Sequence, residues 1–197
     1  MVSIPFGGLP MRRMLLFAPC LLLLCSCSAS SAADRIAPYY RSAAAIQARL
    51  AVTVDSGSYV SDYVLDWSYD GTTNVLTVAE PSQLSGVVLR SDPDGHTMTY
   101  DEAVLTLPDA DGVLLSPLEM LAALFACWRD EYYESASPEN RQGIDCVMLT
   151  WRLATDEMDS AELRTLFESE SLLPLSCEYI LGGVRRLTAQ FQTISIT

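Results

Sequence analysis

Few groups in this chain could do covalent or metal chemistry. There is one histidine, His96, in the stretch Asp94-Gly95-His96-Thr97, and no serine in a nucleophile-elbow pattern for it to serve. It reads as a solvated turn residue. With thiols scattered at Cys127, Cys146 and Cys177, no ligand spacing supports zinc or another transition metal. Two aspartate-rich stretches invite a calcium reading. Taking Gly95 as the loop glycine places Arg90 first, and taking Gly112 places Leu107 first and Leu118 last, where oxygen ligands are required. Both read instead as hairpin turns. No glycine-rich loop precedes a helix, so there is no phosphate cradle. A glycosidase needs only two placed carboxylates, and the 25 acidic residues keep a hydrolase open as a third-ranked reading. Most of them fall in turns or on an outer strand face. The expectation is no metal, no cofactor and no catalytic residue.

One thiol is placed by its neighbours. Arg12 and Arg13 precede an apolar run from Met14 to Leu24, closed by Leu24-Cys25-Ser26-Cys27. The run is too short to span ~30 Å of hydrocarbon as a helix, and a basic start with a 7–15-residue apolar stretch is an export signal. The ending resembles a bacterial lipobox, with aliphatic Leu24, small Ser26 and then the cysteine that receives lipid. Cys25 fits worse, because Leu24 would occupy the small-residue position. An ordinary signal cut near Ala29 to Ala33 is the alternative. The expectation is a signal over 1–26, Cys27 as the lipid-attachment site, a tether over 27–37 and one domain over 38–197. The protein would then sit outside the cytoplasm, held to the membrane through Cys27, most simply on its outer face.

Loss of Arg12 and Arg13 lowers the basic count from 12 to 10 against 25 acidic residues, a net charge of −15 with no lysine anywhere. Such a surface repels phosphate backbones, which argues against nucleic acid as a partner. It is also repelled by anionic lipid, so the acyl chains must do the anchoring, at about 0.8 kcal/mol per buried CH₂. Cys20 and Cys25 leave with the signal. Three remaining thiols allow at most one internal bridge, and small buried hydrophobes are the simpler reading.

The elements follow from periodicity. Cys27 to Asp34 is small and polar, a tether in composition. Tyr39, Tyr40, Ala43 and Ile46 recur at helical spacing, predicting a short helix over 38–47 with Pro38 in its first turn. The period then changes to two. Leu50, Val52 and Val54 alternate with Ala51, Thr53 and Asp55. Tyr59, Tyr63, Leu65, Trp67 and Tyr69 form one face of a long strand whose other face carries Asp62 and Asp66. Strands are expected at 74–79, 84–90, 97–100 and 103–107, with a turn at Asp92-Pro93-Asp94-Gly95. Ser116, Pro117 and Glu119 form a capping box for a helix to Tyr133 bearing the stripe Leu118, Leu121, Phe125, Trp128 and Tyr132. Residues 131–142 read as a loop and 144–153 as a strand. Asp159 and Glu162 suggest caps for a short helix carrying Leu163, Leu166 and Phe167. The end is a hairpin, 175–181 and 184–196 around Gly182-Gly183. The fold class is mostly β (α+β): one curved antiparallel sheet, an incomplete barrel, with one or two helices against its concave face.

The order of these elements resembles the LolA/LolB-like lipoprotein-carrier fold. The local words are Tyr69-Asp70-Gly71 leading into Val75–Ala79 and then 81–87, Gly95 to Asp101 before apolar 105–107, and Phe167 followed by Leu172-Leu173-Pro174-Leu175. Together they cover Tyr39 to Ile196. The resemblance implies an apolar cavity between sheet and helix for acyl chains or a lipidated partner, with Tyr63, Leu65, Trp67, Met98, Leu121, Phe125 and Trp151 as its lining. A cavity arginine and an exposed leucine loop, which transport members carry, have no counterpart here. The chain is equally similar to the small clostridial germination lipoproteins of the same fold, which implies a cell-wall (cortex) amidase as partner. The same residues could simply be core. A pocket and a packed core differ only in the volume left between them.

Overall fold

A computed structural model describes residues 28–107, 117–130, 132–153 and 160–197. The signal, Cys27, Ser116 with its capping box, Gly112 and Asp159 lie outside the described residues, as does the side chain of Leu118.

Eleven strands form one antiparallel sheet: β1 (Ile46–Asp55), β2 (Val60–Tyr69), β3 (Asn74–Glu80), β4 (Val88–Asp92), β5 (Gly95–Tyr100), β6 (Ala103–Leu107), β7 (Ser135–Arg141), β8 (Ile144–Leu153), β9 (Ala161–Glu168), β10 (Pro174–Leu181) and β11 (Val184–Ile196). Their order across the sheet is β6-β5-β4-β3-β2-β1-β11-β10-β9-β8-β7. The chain therefore winds outward from the centre to β6, crosses to the far edge, and winds back to meet its own first strand. The β1–β11 pair is the seam, running from Ile46↔Ile196 to Val54↔Leu187 with a bulge between Arg49 and Leu50. Among the described residues β6 and β7 are the two unpaired edges, and the sheet does not close.

Alternation puts one apolar row on the concave face. Ile46, Ala48, Leu50 and Val52 stand in register with Tyr69, Trp67, Leu65 and Tyr63, and Trp67 and Leu65 with Leu76 and Val78. All of these except Tyr63 are buried. The outward row is polar and pairs across strands, as in Arg49–Asp66 at 3.1 Å and Thr53–Asp62 at 2.6 Å. Exposed pairs of this kind contribute about 0–1 kcal/mol, so burial on the other face carries the fold.

Two helices cover the concave side. Helix α1 (Ser28–Arg41) packs on β7 and β8, and α2 (Pro117–Trp128) on β3 and β4; the helices also touch each other. Ala32, Ala33, Ile36, Ala37 and Tyr40 form the buried stripe of α1, while Asp34, Arg35, Pro38 and Arg41 face solvent. Among the described residues no helix is long and apolar enough to cross a membrane.

Four expectations are corrected. The stretch 28–37 is helical rather than a tether, and α1 ends at Arg41, so Pro38 lies inside the helix and Ile46 opens β1. Alanine and serine suit a linker and a helix equally, and packing on the sheet decides between them. Residues 135–141 are the edge strand β7, not loop; polar SASPENR has no apolar alternation because nearly all of it is exposed. Residues 161–168 are strand β9, not helix, with Ala161, Leu163, Thr165 and Phe167 inward. His96 lies in β5, half-buried, rather than in a turn.

Candidate binding site

The seven residues expected to line a cavity come from four elements: Tyr63, Leu65 and Trp67 from β2, Met98 from β5, Leu121 and Phe125 from α2, and Trp151 from β8. Five of them, Leu65, Trp67, Leu121, Phe125 and Trp151, are buried in a single cluster. Tyr63 is partly buried against that cluster; Met98 is half-buried and stands outside it.

The middle of the concave side is filled by rings. Trp128, the last residue of α2, is fully buried, with Tyr40 at 5.0 Å, Phe167 at 5.6 Å, Phe191 at 5.9 Å, Trp67 at 6.2 Å and Phe125 at 6.3 Å between centroids. Most of these contacts are edge-on or tilted, the arrangement that ring quadrupoles favour. Each polar tip has a partner. The Trp128 indole N–H donates to Thr165 Oγ1 at 2.9 Å, Trp67 N–H to Asn74 Oδ1 at 3.2 Å, and the Tyr40 hydroxyl to the Leu172 carbonyl at 2.9 Å. Burial pushes the Tyr40 phenol well above its ordinary range, with Tyr39 adding to it, so it stays a donor. Trp151 differs: it is buried, yet its indole N–H finds no acceptor among the described residues.

Tyr40, Thr165 and Phe167 are central to this cluster and were not among the expected lining. For Thr165 and Phe167 a signal was present, because Glu162, Arg164 and Glu168 alternate with the inward residues at strand period. Leu163, Leu166 and Phe167 mimic helical spacing and mask it.

The described pockets open to solvent at the margins of this cluster and touch some of its members, Trp67 and Ala48 in one and Ile36 and Leu149 in another. One, about 540 Å³, is a groove bordered by the outward polar residues Gln47, Arg49, Asp66, Ser68, Thr77 and Thr193 together with Ala48, Trp67 and Ile194. A second, about 380 Å³, lies between α1 and the start of β7, beside Ile36, Asp130, Tyr132 and Tyr133. Tyr132 is 85 % exposed, off the stripe expected of it, because α2 stops at Trp128.

The aspartates of the tempting turns serve their own backbone. Asp70 accepts from the N–H groups of Thr73 and Thr72, which hold its carboxyl below the usual carboxylate range. Asp92 is lowered first by the Arg90 guanidinium at 2.9 Å and then by the Asp94 N–H. Among the described residues no group of three or more His, Cys, Asp or Glu could hold a metal ion. Cys146 and Cys177 are buried free thiols and Cys127 a half-buried one.

An open antiparallel sheet curved round helices on its concave side is the architecture the sequence resemblance implied. The described residues form such an incomplete barrel, mostly β with two helices. No family model matches the chain, and no curated protein matches it in sequence. Among solved structures, it is similar to an uncharacterized conserved protein from Thermus thermophilus, at 12 % identity and a TM-score of 0.50, over 86 % of this chain and 88 % of that one. A LolA superfamily protein from Nitrosomonas europaea matches at 9 % identity and a TM-score of 0.42, over 86 % and 93 %. A chain of the complex between the CwlD amidase of Clostridioides difficile and the GerS lipoprotein matches at 14 % and 0.44, over 95 % and 97 %. At these identities the likeness concerns the fold.

Proposed function

We propose that this is a lipid-anchored, extracytoplasmic, non-catalytic binding protein that docks a protein partner on its outer surface rather than carrying acyl chains inside. The observation that carries this reading is the filling of the concave side. Among the described residues, Trp67, Phe125, Trp128, Tyr40 and Phe167 pack against one another in the middle of the concave side, which supports a core rather than an acyl-chain channel there, and each hydrogen-bonding tip among them is satisfied. Opening it would separate packed rings and leave Thr165 and the Leu172 carbonyl unpaired, each costing about 1–3 kcal/mol before any ligand contact formed. The basic-then-apolar signal and the lipobox ending at Cys27 support export and anchoring. Ser28, the next residue, already belongs to α1, so the lipid would hold the domain close to the bilayer. A cell-wall amidase is the partner class that the sequence resemblance implies.

The test is native mass spectrometry of the Cys27→Ser protein without residues 1–26, purified without detergent and challenged with phosphatidylglycerol. Bare protein before and after is the expected result. A non-covalent lipid adduct, lost when Trp67 or Leu121 is replaced by a charged residue in a folded variant, would restore the acyl-chain cavity and sink the docking reading. Wild-type protein from membranes should carry the mass of a lipidated Cys27, and protein with Cys27→Ser should lack that mass.

A further inference from the structure

The two open edges of the sheet are not equivalent. Strand β7 is protected in the usual ways, with Pro138 within it and Glu139 and Arg141 along it. Strand β6 has none of these devices. Its sequence, Ala-Val-Leu-Thr-Leu, holds no charge and no proline. Val104 is 64 % exposed and Leu105 54 %. Successive strand residues point to opposite faces, so both sides of this edge are apolar. Pairing with β5 from Tyr100↔Ala103 to His96↔Leu107 uses one side of the β6 backbone, and no described strand pairs with the other.

Charge selects the occupant. Asp101 and Glu102 are exposed at the Ala103 end of β6. At the Leu107 end, β5 begins next to the β4–β5 turn, which carries exposed Asp94. An incoming strand thus meets the carboxylates of Asp101 and Glu102 beyond the Ala103 end of an uncharged apolar edge, with Asp94 more than two strand spacings away at the other end. A second copy of this chain is equally acidic, with 25 Asp and Glu against at most 12 Arg, and is repelled as a whole, whereas a cationic partner is attracted.

We propose that the outer edge of β6 binds the partner by strand addition, and that the partner supplies an extended segment of apolar and β-branched residues flanked by Arg or Lys. Main-chain hydrogen bonds to β6 supply affinity, contacts with Val104 and Leu105 on the two faces fix register, and the flanking cations select against other apolar strands. This rests on the docking reading above and names its surface.

The experiment uses the full-length protein in phosphatidylcholine nanodiscs and a fluorescein-labelled probe peptide, Arg-Val-Thr-Val-Thr-Val-Arg, read by anisotropy against empty nanodiscs. Saturable binding is expected, at least tenfold weaker for the Glu-flanked peptide and lost on N-methylating alternate peptide amides. The Val104→Lys/Leu105→Lys protein should lose at least tenfold in affinity at unchanged melting temperature, and amide exchange in β6 should slow on peptide addition. Absence of saturable binding, equal binding of the N-methylated peptide, or equal binding by the folded double variant overturns the assignment. If the double variant does not fold, the N-methylated peptide and the exchange of β6 decide. Failure here with a lipid-free Cys27→Ser protein removes only the edge assignment; a lipid adduct on that protein removes the docking reading with it.

Discussion

The sheet has a heavy wing and a light one. Strands β8, β9 and β10 bury Val147, Leu149, Trp151, Leu163, Thr165, Phe167, Cys177 and Tyr179 under α1 and the end of α2. Strands β4, β5 and β6 contain no fully buried residue where burial is described, although they belong to the same sheet and are built from equally strand-prone residues. Strand propensity and hairpin turns suffice to extend a meander, whereas its rigidity depends on what covers it. Helix α2 packs on β3 and β4 along that wing. Among the described residues these strands are the least covered part of the sheet.

Substitution should expose the contrast most strongly at Trp128. Trp128→Ala removes the hub of the ring cluster and leaves Thr165 buried without its donor, an expected loss of about 3–5 kcal/mol. At about 2–4 °C per kcal/mol for a chain of this size, the melting temperature should fall by on the order of 10 °C. Leu105→Ala in the light wing should stay within about 0.5 kcal/mol of wild type. Equal losses at the two positions would mean that the wings share one cooperative core. Phe167→Leu, a milder change beside Trp128, keeps the comparison open if Trp128→Ala fails to fold.

Much of this arrangement could be read before any coordinates. The meander from β1 to β6 and the β10–β11 hairpin were legible because apolar residues alternate at period two between strong turn signals, Asp92-Pro93-Asp94-Gly95 and Gly182-Gly183. The expected lining of Leu65, Trp67, Leu121 and Phe125 does converge on one place. Burial pattern alone could not reveal that Tyr40 and Phe167 enter the same space from α1 and β9. Tyr40 lies 127 residues from Phe167 in sequence, and its hydroxyl bonds a carbonyl 132 residues away. Such contacts depend on chain crossing, not on local period. Strand β7 was illegible for a different reason: an exposed polar edge carries no alternation to read.

Thiol reactivity should grade the heavy wing against the helix that covers the sheet. Burial, reinforced by the Asp130 carboxylate, pushes the Cys127 thiol up to about 11. Its alkylation at pH 8 should be on the order of a hundredfold slower than that of an ordinary thiol near 8.5, and should speed up toward pH 11. Cys177, in β10, is raised further, chiefly by burial, and should react only on global unfolding. The sign for stability follows. A thiol held protonated in the folded state favours unfolding once pH exceeds the unfolded value, so stability should decline above about pH 8.5. Labelling of Cys177 at a rate that tracks Cys127 would show that the heavy wing opens locally.

The smallest effect sharpens the comparison furthest, because it uses one device in two settings. Asp70 closes the β2–β3 turn and Asp92 the β4–β5 turn, each accepting backbone N–H groups that help hold its carboxyl low. A carboxylate held low in the folded state contributes stability above its unfolded value and loses it as pH falls through the folded one. The β2–β3 turn seats buried Tyr69, whose hydroxyl donates to the Gly71 carbonyl, and Trp67, which donates to Asn74. Asp70→Ala should therefore lower the melting temperature at pH 7, and the difference from wild type should vanish below the ordinary carboxylate range. Asp92→Ala should leave melting almost unchanged and instead speed amide exchange in β4 and β5, since the turn it holds supports strands that contribute little to the core. Equal effects on melting would mean that the light wing is as firmly held as the core hairpin of β2 and β3, and that its edge is no freer to accept a strand.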